Sequence, residues 1–125
     1  MEAQRHASVA LPAATTAPRD ARRFAVETLQ EWGVDAVSEE AELIVSELVT
    51  NALRHARSPS RVALSATDSC LRIEVADDGQ GGAVRRHAVP EDTSGRGLML
   101  VEAMADRWGA HHDGHEHVVW CEIAL

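Results

Sequence analysis

Tyrosine is absent from this chain of 125 residues and phenylalanine occurs once. Aromatic platforms on which bases could stack are therefore scarce. Cations are outnumbered, twelve Lys and Arg against twenty Asp and Glu, for a net charge of −8. That makes the phosphate backbone of nucleic acid a poor partner, and the expected polymeric partners are proteins. No run of about 18 apolar residues exists, so no membrane span is expected. The opening "MEAQRHASVALPAATTAPRD" lacks a basic start followed by an apolar stretch, so it does not read as a secretory signal. The two cysteines, Cys70 and Cys121, lie far apart in expected strands with no metal-ligand spacing. They read as two buried thiols in a reducing, cytoplasmic setting.

What is present suits one domain over residues 1–125. The apolar fraction of 45% is ordinary for a globular protein, and the length supports a single core. There is no internal repeat. Residues 1–17 read as a short first strand, "HASVAL", and a Pro- and Ala-rich connection. Pro18 suits the first turn of a helix through "RDARRFAVETLQEW", with Phe24, Leu29 and Trp32 as its apolar stripe and Gly33 as its C-terminal cap. Ser38 before "EEAE" reads as the N-cap of a second helix that ends near Arg57, ahead of Pro59. "RVALSAT" and "LRIEVA" alternate apolar and polar and form a hairpin. "LMLVEAMADRW" reads as a third helix, and "WGAHH" with "EHVVWCEIAL" as a closing hairpin around Asp113-Gly114. The mixture predicts an α/β two-layer sandwich, with helices on one face of a mixed, mostly antiparallel sheet.

On the second helix, Ala41, Val45, Leu48, Val49, Ala52 and Ala56 share one face, which packs on the sheet. Glu42, Ser46, Thr50 and Arg57 share a face that can meet water. Glu47 and Asn51 fall on a third face with Leu43 and Ile44, with His55 at its margin. Alone, that pair reads first as a solvated i,i+4 stripe, and His55 as a partner of the helix C-terminus.

Two further segments bear on the pair. "VADDGQGG" ends a strand with Asp77, and Gly79, Gly81 and Gly82 follow. Glycines let a backbone approach a ligand, and an Asp at a strand end accepts a bond from a ligand amine. "TSGRGLML" puts Gly95 and Gly97 at the start of a helix, where free N–H groups favour phosphate. Neither the P-loop nor the dinucleotide fingerprint is matched. Between the two lies a stretch with few apolar anchors; "DDGQGGAVRRHAVPEDTSGRG" holds six glycines or prolines. So long a loop in a small domain is usually functional or mobile.

In this order, Glu-x-x-x-Asn on a helix, Asp-x-Gly-x-Gly after a strand and Gly-x-Gly opening a helix resemble the N, G1 and G2 boxes of the GHKL ATPases. That superfamily holds gyrase, a heat-shock chaperone class, histidine kinases and the MutL repair proteins. The wording "SELVTNALRHA", "GRGLMLVEAMADRWG" and "VVWCEI" is most similar to the stand-alone anti-sigma-factor serine/threonine kinases. The resemblance implies the Bergerat-type ATP-binding fold, with ATP and Mg²⁺ as cofactors. Asn51 would hold Mg²⁺ against the phosphates, and Glu47 would orient the acceptor hydroxyl of a Ser or Thr. Asp77 would accept the adenine amino group, with Gly79 and Gly81 against the nucleotide. Thr93, Ser94, Gly95, Arg96, Gly97 and Leu98 would line the phosphates, Gly95 and Gly97 through backbone N–H groups. Residues 78–96 would form the ATP lid. Arg85, Arg86 and Arg96 read first as solvated loop charge and second as phosphate contacts.

The implied function is transfer of the ATP γ-phosphate to an antagonist protein and sequestration of a sigma factor, with a homodimer allowed and no direct nucleic-acid or membrane contact. A non-enzymatic, nucleotide-gated binding module is the alternative. A third reading takes "HHDGHEH" as a metal site built from His111, His112, His115 and His117. Strand alternation argues against it, because neighbouring residues point to opposite faces.

Overall fold

The computed structural model describes residues 4–78 and 93–125, and the side chains of those residues outside 93–98. Strand β1 spans Arg5–Leu11, and helix α1 spans Ala17–Trp32 with Pro18 in its first turn. Gly33 closes α1 in the left-handed region, at φ 73°, where a residue without Cβ meets no steric penalty. A 3₁₀ turn, Asp35–Val37, leads into α2, Ser38–Asn51. Ser38 is thus the first helical residue and not the N-cap, since the preceding 3₁₀ turn already occupies the entry. A single π-helical turn, Ala52–Ala56, ends this helix at Arg57, close to the expected boundary. Strands β2, Ser60–Ala66, and β3, Cys70–Asp78, form the first hairpin. Helix α3 spans Thr93–Met104, and β4, Arg107–Asp113, with β5, Glu116–Ala124, closes the chain.

Two boundaries differ from expectation. Helix α3 begins at Thr93, so Gly95 and Gly97 lie within its first two turns. It also stops before Arg107 and Trp108, which pair with Glu122 and Cys121 in the sheet. The backbone N–H of Asp106 donates to Glu122 O, and its carboxylate accepts from Ala124 N–H at 2.7 Å. Ladder bonds therefore claim the residues that helical periodicity would have continued through.

The sheet has the order β1-β2-β3-β5-β4, with every pairing antiparallel. Leu71, Ile73 and Val75 of β3 join Val119, Cys121 and Ile123 of β5 in the core beneath the helices. The alternate residues face away and carry ion pairs: Arg72 with Glu74 and Glu122, Arg107 with Glu122, and Arg61 with Glu116. Each exposed pair contributes little, but together they keep the uncovered face polar, as half-solvated antiparallel sheets require.

Among the described residues, helix α2 packs between α1 and α3 and on β3. Its buried arc is accordingly wider than one face: Ile44, Asn51 and His55 join Ala41, Val45, Leu48, Val49 and Ala52. Glu42, Ser46 and Thr50 of the face expected to meet water are half-exposed and Arg57 is exposed, and this face also borders α1. Arg22 Nη1 donates to Ser46 Oγ at 2.9 Å, and Thr50 Oγ1 to Ser46 O at 2.7 Å.

Gly109 of β4 sits under the Trp120 indole; a Cβ there would stand 2.8 Å from Trp120 Nε1. The Arg72 guanidinium lies over the same indole, 4.4 Å from the ring centroid. Gly109→Ala should cost stability near the lower end of the ~1–3 kcal/mol typical of overpacking, because the indole can lift on the open face. Denaturant unfolding checks this, and the penalty should vanish in a Trp120→Ala background.

Cys121 is buried, and desolvation pushes its thiol up to about 12, whereas Cys70 is half-buried and raised less. Burial favours the neutral form in the folded state, while the unfolded thiol ionises near its ordinary value. This contribution to stability is whole below that value and lost as pH rises from about 8.5 toward the folded value. The unfolding midpoint of Cys121→Val should accordingly fall less than that of the parent between mildly and strongly alkaline pH.

Candidate functional site

Leu43, Glu47 and Asn51 follow one another at intervals of four along α2, so they form one stripe on a helix. Leu43 is 47% exposed, Glu47 is half-buried and Asn51 is only 6% exposed. The stripe therefore runs from the surface into the interior. Glu47 lies in a groove of about 370 Å³ between α2 and α3, lined by Leu43, Met99, Leu100 and Ala103. Asn51 stands where α2 widens into the π turn. Single π turns inside helices recur at functional sites. Four residues after Asn51, His55 is buried as well.

The Asn51 Oδ1 is buried and accepts no hydrogen bond among the described residues. Leaving a buried acceptor unspent is costly. A neutral amide oxygen in that condition fits a hard cation that brings its own waters and phosphate oxygens.

Asp77 sits near the end of β3, paired with Ser60 on one side and His117 on the other. Its register with Leu71, Ile73 and Val75 turns the side chain toward the helix layer, where it is buried. Helix α2 and the π turn both pack on β3, which brings Asn51 and Asp77 to the same end of the domain. Ser58 fastens this end: its Oγ accepts the Asp78 N–H at 3.0 Å and donates to Pro59 O at 3.0 Å. A larger cleft, about 520 Å³, is lined by Asp77 and Asp78 together with Ala10, Arg61, Ala76 and Glu116. Those last four belong to the uncovered face of the sheet, so this cleft is not a chamber shared with Glu47 and Asn51.

Gly79, Gly81, Gly82, Arg85 and Arg86, and with them residues 79–92 of the expected lid, lie outside the described residues. Thr93, Ser94, Gly95, Arg96, Gly97 and Leu98 form the first turns of α3, and their side chains lie outside the described set. The opening turn of such a helix has backbone N–H groups without helical acceptors. The sequence contains no lysine, so a cationic side chain of this sequence meeting a phosphate would be a guanidinium or an imidazolium.

The third reading, a metal site at the closing hairpin, gains no support among the described residues. Among the described residues no group of three or more His, Cys, Asp or Glu side chains is placed to hold an ion. His112 and His117 pair across β4 and β5 with ring centroids 5.1 Å apart, while His111 and His115 are exposed.

Sequence reading missed His117 and Ser58. The signal for His117 was available: in "HVVWCEI" it is in phase with Val119, Cys121 and Ile123, which alternation assigns to the core side. Ser58 had none, because its role depends on which strand end its loop passes.

A family model of the histidine kinase-like ATPase domain matches residues 11–123. The chain belongs to the histidine kinase-like ATPase family. Among solved structures it is similar to a chain from Mycobacterium tuberculosis, described as the RsbU and RsbW domains of Rv1364c. The TM-score is 0.74 at 23% identity, over 95% of this chain and 32% of that one. At that identity the likeness bears on the fold alone, and this chain spans about a third of the length of that neighbour. Membership in a histidine kinase-like ATPase family carries ATP binding with it. Among the described residues no helix is long and apolar enough to cross a membrane.

Ser58→Ala should leave the Asp78 N–H without its hydroxyl acceptor. Loss of one such bond, roughly 1 kcal/mol, should speed hydrogen exchange at Asp78 while the β2–β3 amides nearer the hairpin turn are unaffected. Unchanged exchange at Asp78 would show that Ser58 does not hold this end of the sheet.

Proposed function

We propose that this domain binds ATP with Mg²⁺ and acts as a protein serine/threonine kinase of the anti-sigma-factor kind. It transfers the γ-phosphate to a Ser or Thr of an antagonist protein and, in a separate act, sequesters a sigma factor. The observation that carries the reading is the buried Asn51 Oδ1, unspent among the described residues and one helical turn beyond Glu47. Family membership and the RsbW domain named in the structural neighbour are consistent with it.

Mg²⁺, when bound, would neutralise charge on the transferring phosphoryl group. Asn51 holds that ion through its amide oxygen. Asp77 fixes the base by accepting its amine. The N–H groups opening α3, from Thr93 through Gly95 and Arg96, receive the phosphates, with Gly97 and Leu98 continuing the same wall. Gly79 and Gly81, outside the described residues, would lie beside the nucleotide, and the lid expected over 78–96 would be confined to the residues between β3 and α3. Glu47, half-buried at the groove between α2 and α3, orients the incoming hydroxyl and takes its proton. The groove is apolar around a single carboxylate, which suits a short polypeptide segment presenting a hydroxyl. A nucleotide-gated binding module would use the same groove without transfer.

Asn51→Ala and Glu47→Ala should fail in different ways. Asn51→Ala should weaken MgATP binding and abolish transfer together. Glu47→Ala should leave ATP affinity nearly unchanged while transfer falls by roughly 10²–10⁴-fold, the range for a positioned base. Capture of a sigma factor should survive Glu47→Ala. The check is a matched set of ATP calorimetry, partner binding and phosphate transfer. A parent protein that grips a partner in an ATP-dependent way, yet phosphorylates none, would establish the gated module in place of the kinase.

A further inference from the structure

The strand order places Asp77 of β3 directly opposite His117 of β5. Both side chains lie on the helix side of the sheet, and His117 is 7% exposed. The His117 Nδ1 is buried, has no hydrogen-bond partner among the described residues, and stands 3.8 Å from Asp77 Oδ2. That gap exceeds the roughly 2.7–3.2 Å of a hydrogen bond. It is still narrow enough for the two groups to meet neighbouring atoms on one edge of a flat ring. The tilted ring of His112 backs the imidazole.

We infer that His117 is a second reader of the nucleobase: its Nδ1–H donates toward the ring nitrogen beside the amine that Asp77 accepts. The inference rests on the ATP site proposed above. A carboxylate acceptor next to an imidazole donor complements adenine, which offers an amine donor next to the N1 acceptor. Guanine offers a carbonyl acceptor and an N–H donor at those two places, the reverse pattern. Asp77 alone discriminates poorly, since a carboxylate also accepts from the ring N–H and amine of guanine. With His117 beside it, guanine would set one donor against another inside a buried site. Sites built on buried polar groups reject ligands that leave those groups unmatched.

The test is calorimetric titration of the full chain with the Mg²⁺ complexes of ATP, GTP and 1-deaza-ATP, in which N1 is replaced by C–H. The parent, His117→Val and His117→Asn are compared, each checked for a cooperative unfolding transition. The parent should bind ATP about tenfold more tightly than 1-deaza-ATP, the worth of one hydrogen bond in such a site, and should discriminate against GTP. In His117→Val both preferences should fall toward unity. In His117→Asn, whose amide N–H takes the place of Nδ1–H, the preference over 1-deaza-ATP should return. A parent that binds ATP and 1-deaza-ATP equally well overturns the role of His117 and leaves the ATP site standing. The same preference in His117→Val as in the parent also overturns it. Should His117→Val not fold, the parent and His117→Asn decide by the same ratio. A parent that binds no ATP removes the site and this inference together.

Discussion

The burial of α2 between the sheet and its two neighbouring helices is the constraint from which the rest follows. Ile44, Val45 and Val49 are essentially inaccessible to solvent, with Ala41 and Ala52 beside them. Each large side chain so buried contributes on the order of 1.5–3 kcal/mol, and close packing leaves the helix little freedom to rotate. Glu47 and Asn51 inherit that rigidity because they stand on the same backbone. A polar pair on a surface helix would be free to wander. Here the amide is fixed by the apolar residues before and after it, which is the condition for a site held to within a fraction of an ångström.

The sheet imposes a second constraint, on the end proposed to bind the base. Because β5 is placed between β3 and β4, residues far apart in sequence become direct neighbours, and Asp77 meets His117. The hairpin that brings His117 there is held by the ladder and by the ion pairs on the uncovered face, among them Arg61 with Glu116 and Arg72 with Glu122. Those surface charges leave the site itself untouched. They keep one face of the sheet wet, so that the other is the face that is covered.

How much of this was legible in the sequence depends on the range of the interaction that decides each feature. Alternation and glycine or proline punctuation are local, and they placed every strand, α1 and its cap. The arc buried on α2 is not local. A wheel built for one packed face left Ile44 with Glu47, whereas three-sided packing buries it. The start of α2 at Ser38 was read correctly but the cap was not, because a 3₁₀ turn holds the entry without a side-chain cap. The end of α3 was misread because ladder bonds at Asp106 and Arg107 outweigh a helical continuation of the same residues. Glu47, Asn51 and Asp77, the residues proposed for the site, were picked out from motif order alone. His117 was singled out only within a metal reading that alternation already argued against, since its neighbour across the sheet is set by strand order, which periodicity does not encode.

The two ends of the proposed site are also tied along the chain. From Asn51 the backbone passes through the π turn and the Ser58-Pro59 corner to Ser60, which pairs with Asp77. Ser58 closes this path by accepting the Asp78 N–H. The residue proposed for the metal and the residue proposed for the base are thus connected by one short, mostly helical segment as well as by core packing. A nucleotide spans a fixed distance from base to phosphates, so its receptor must hold both ends at a fixed separation. With helices packed on one face of the sheet among the described residues, a rigid segment between the two ends supplies that separation more directly than the core alone.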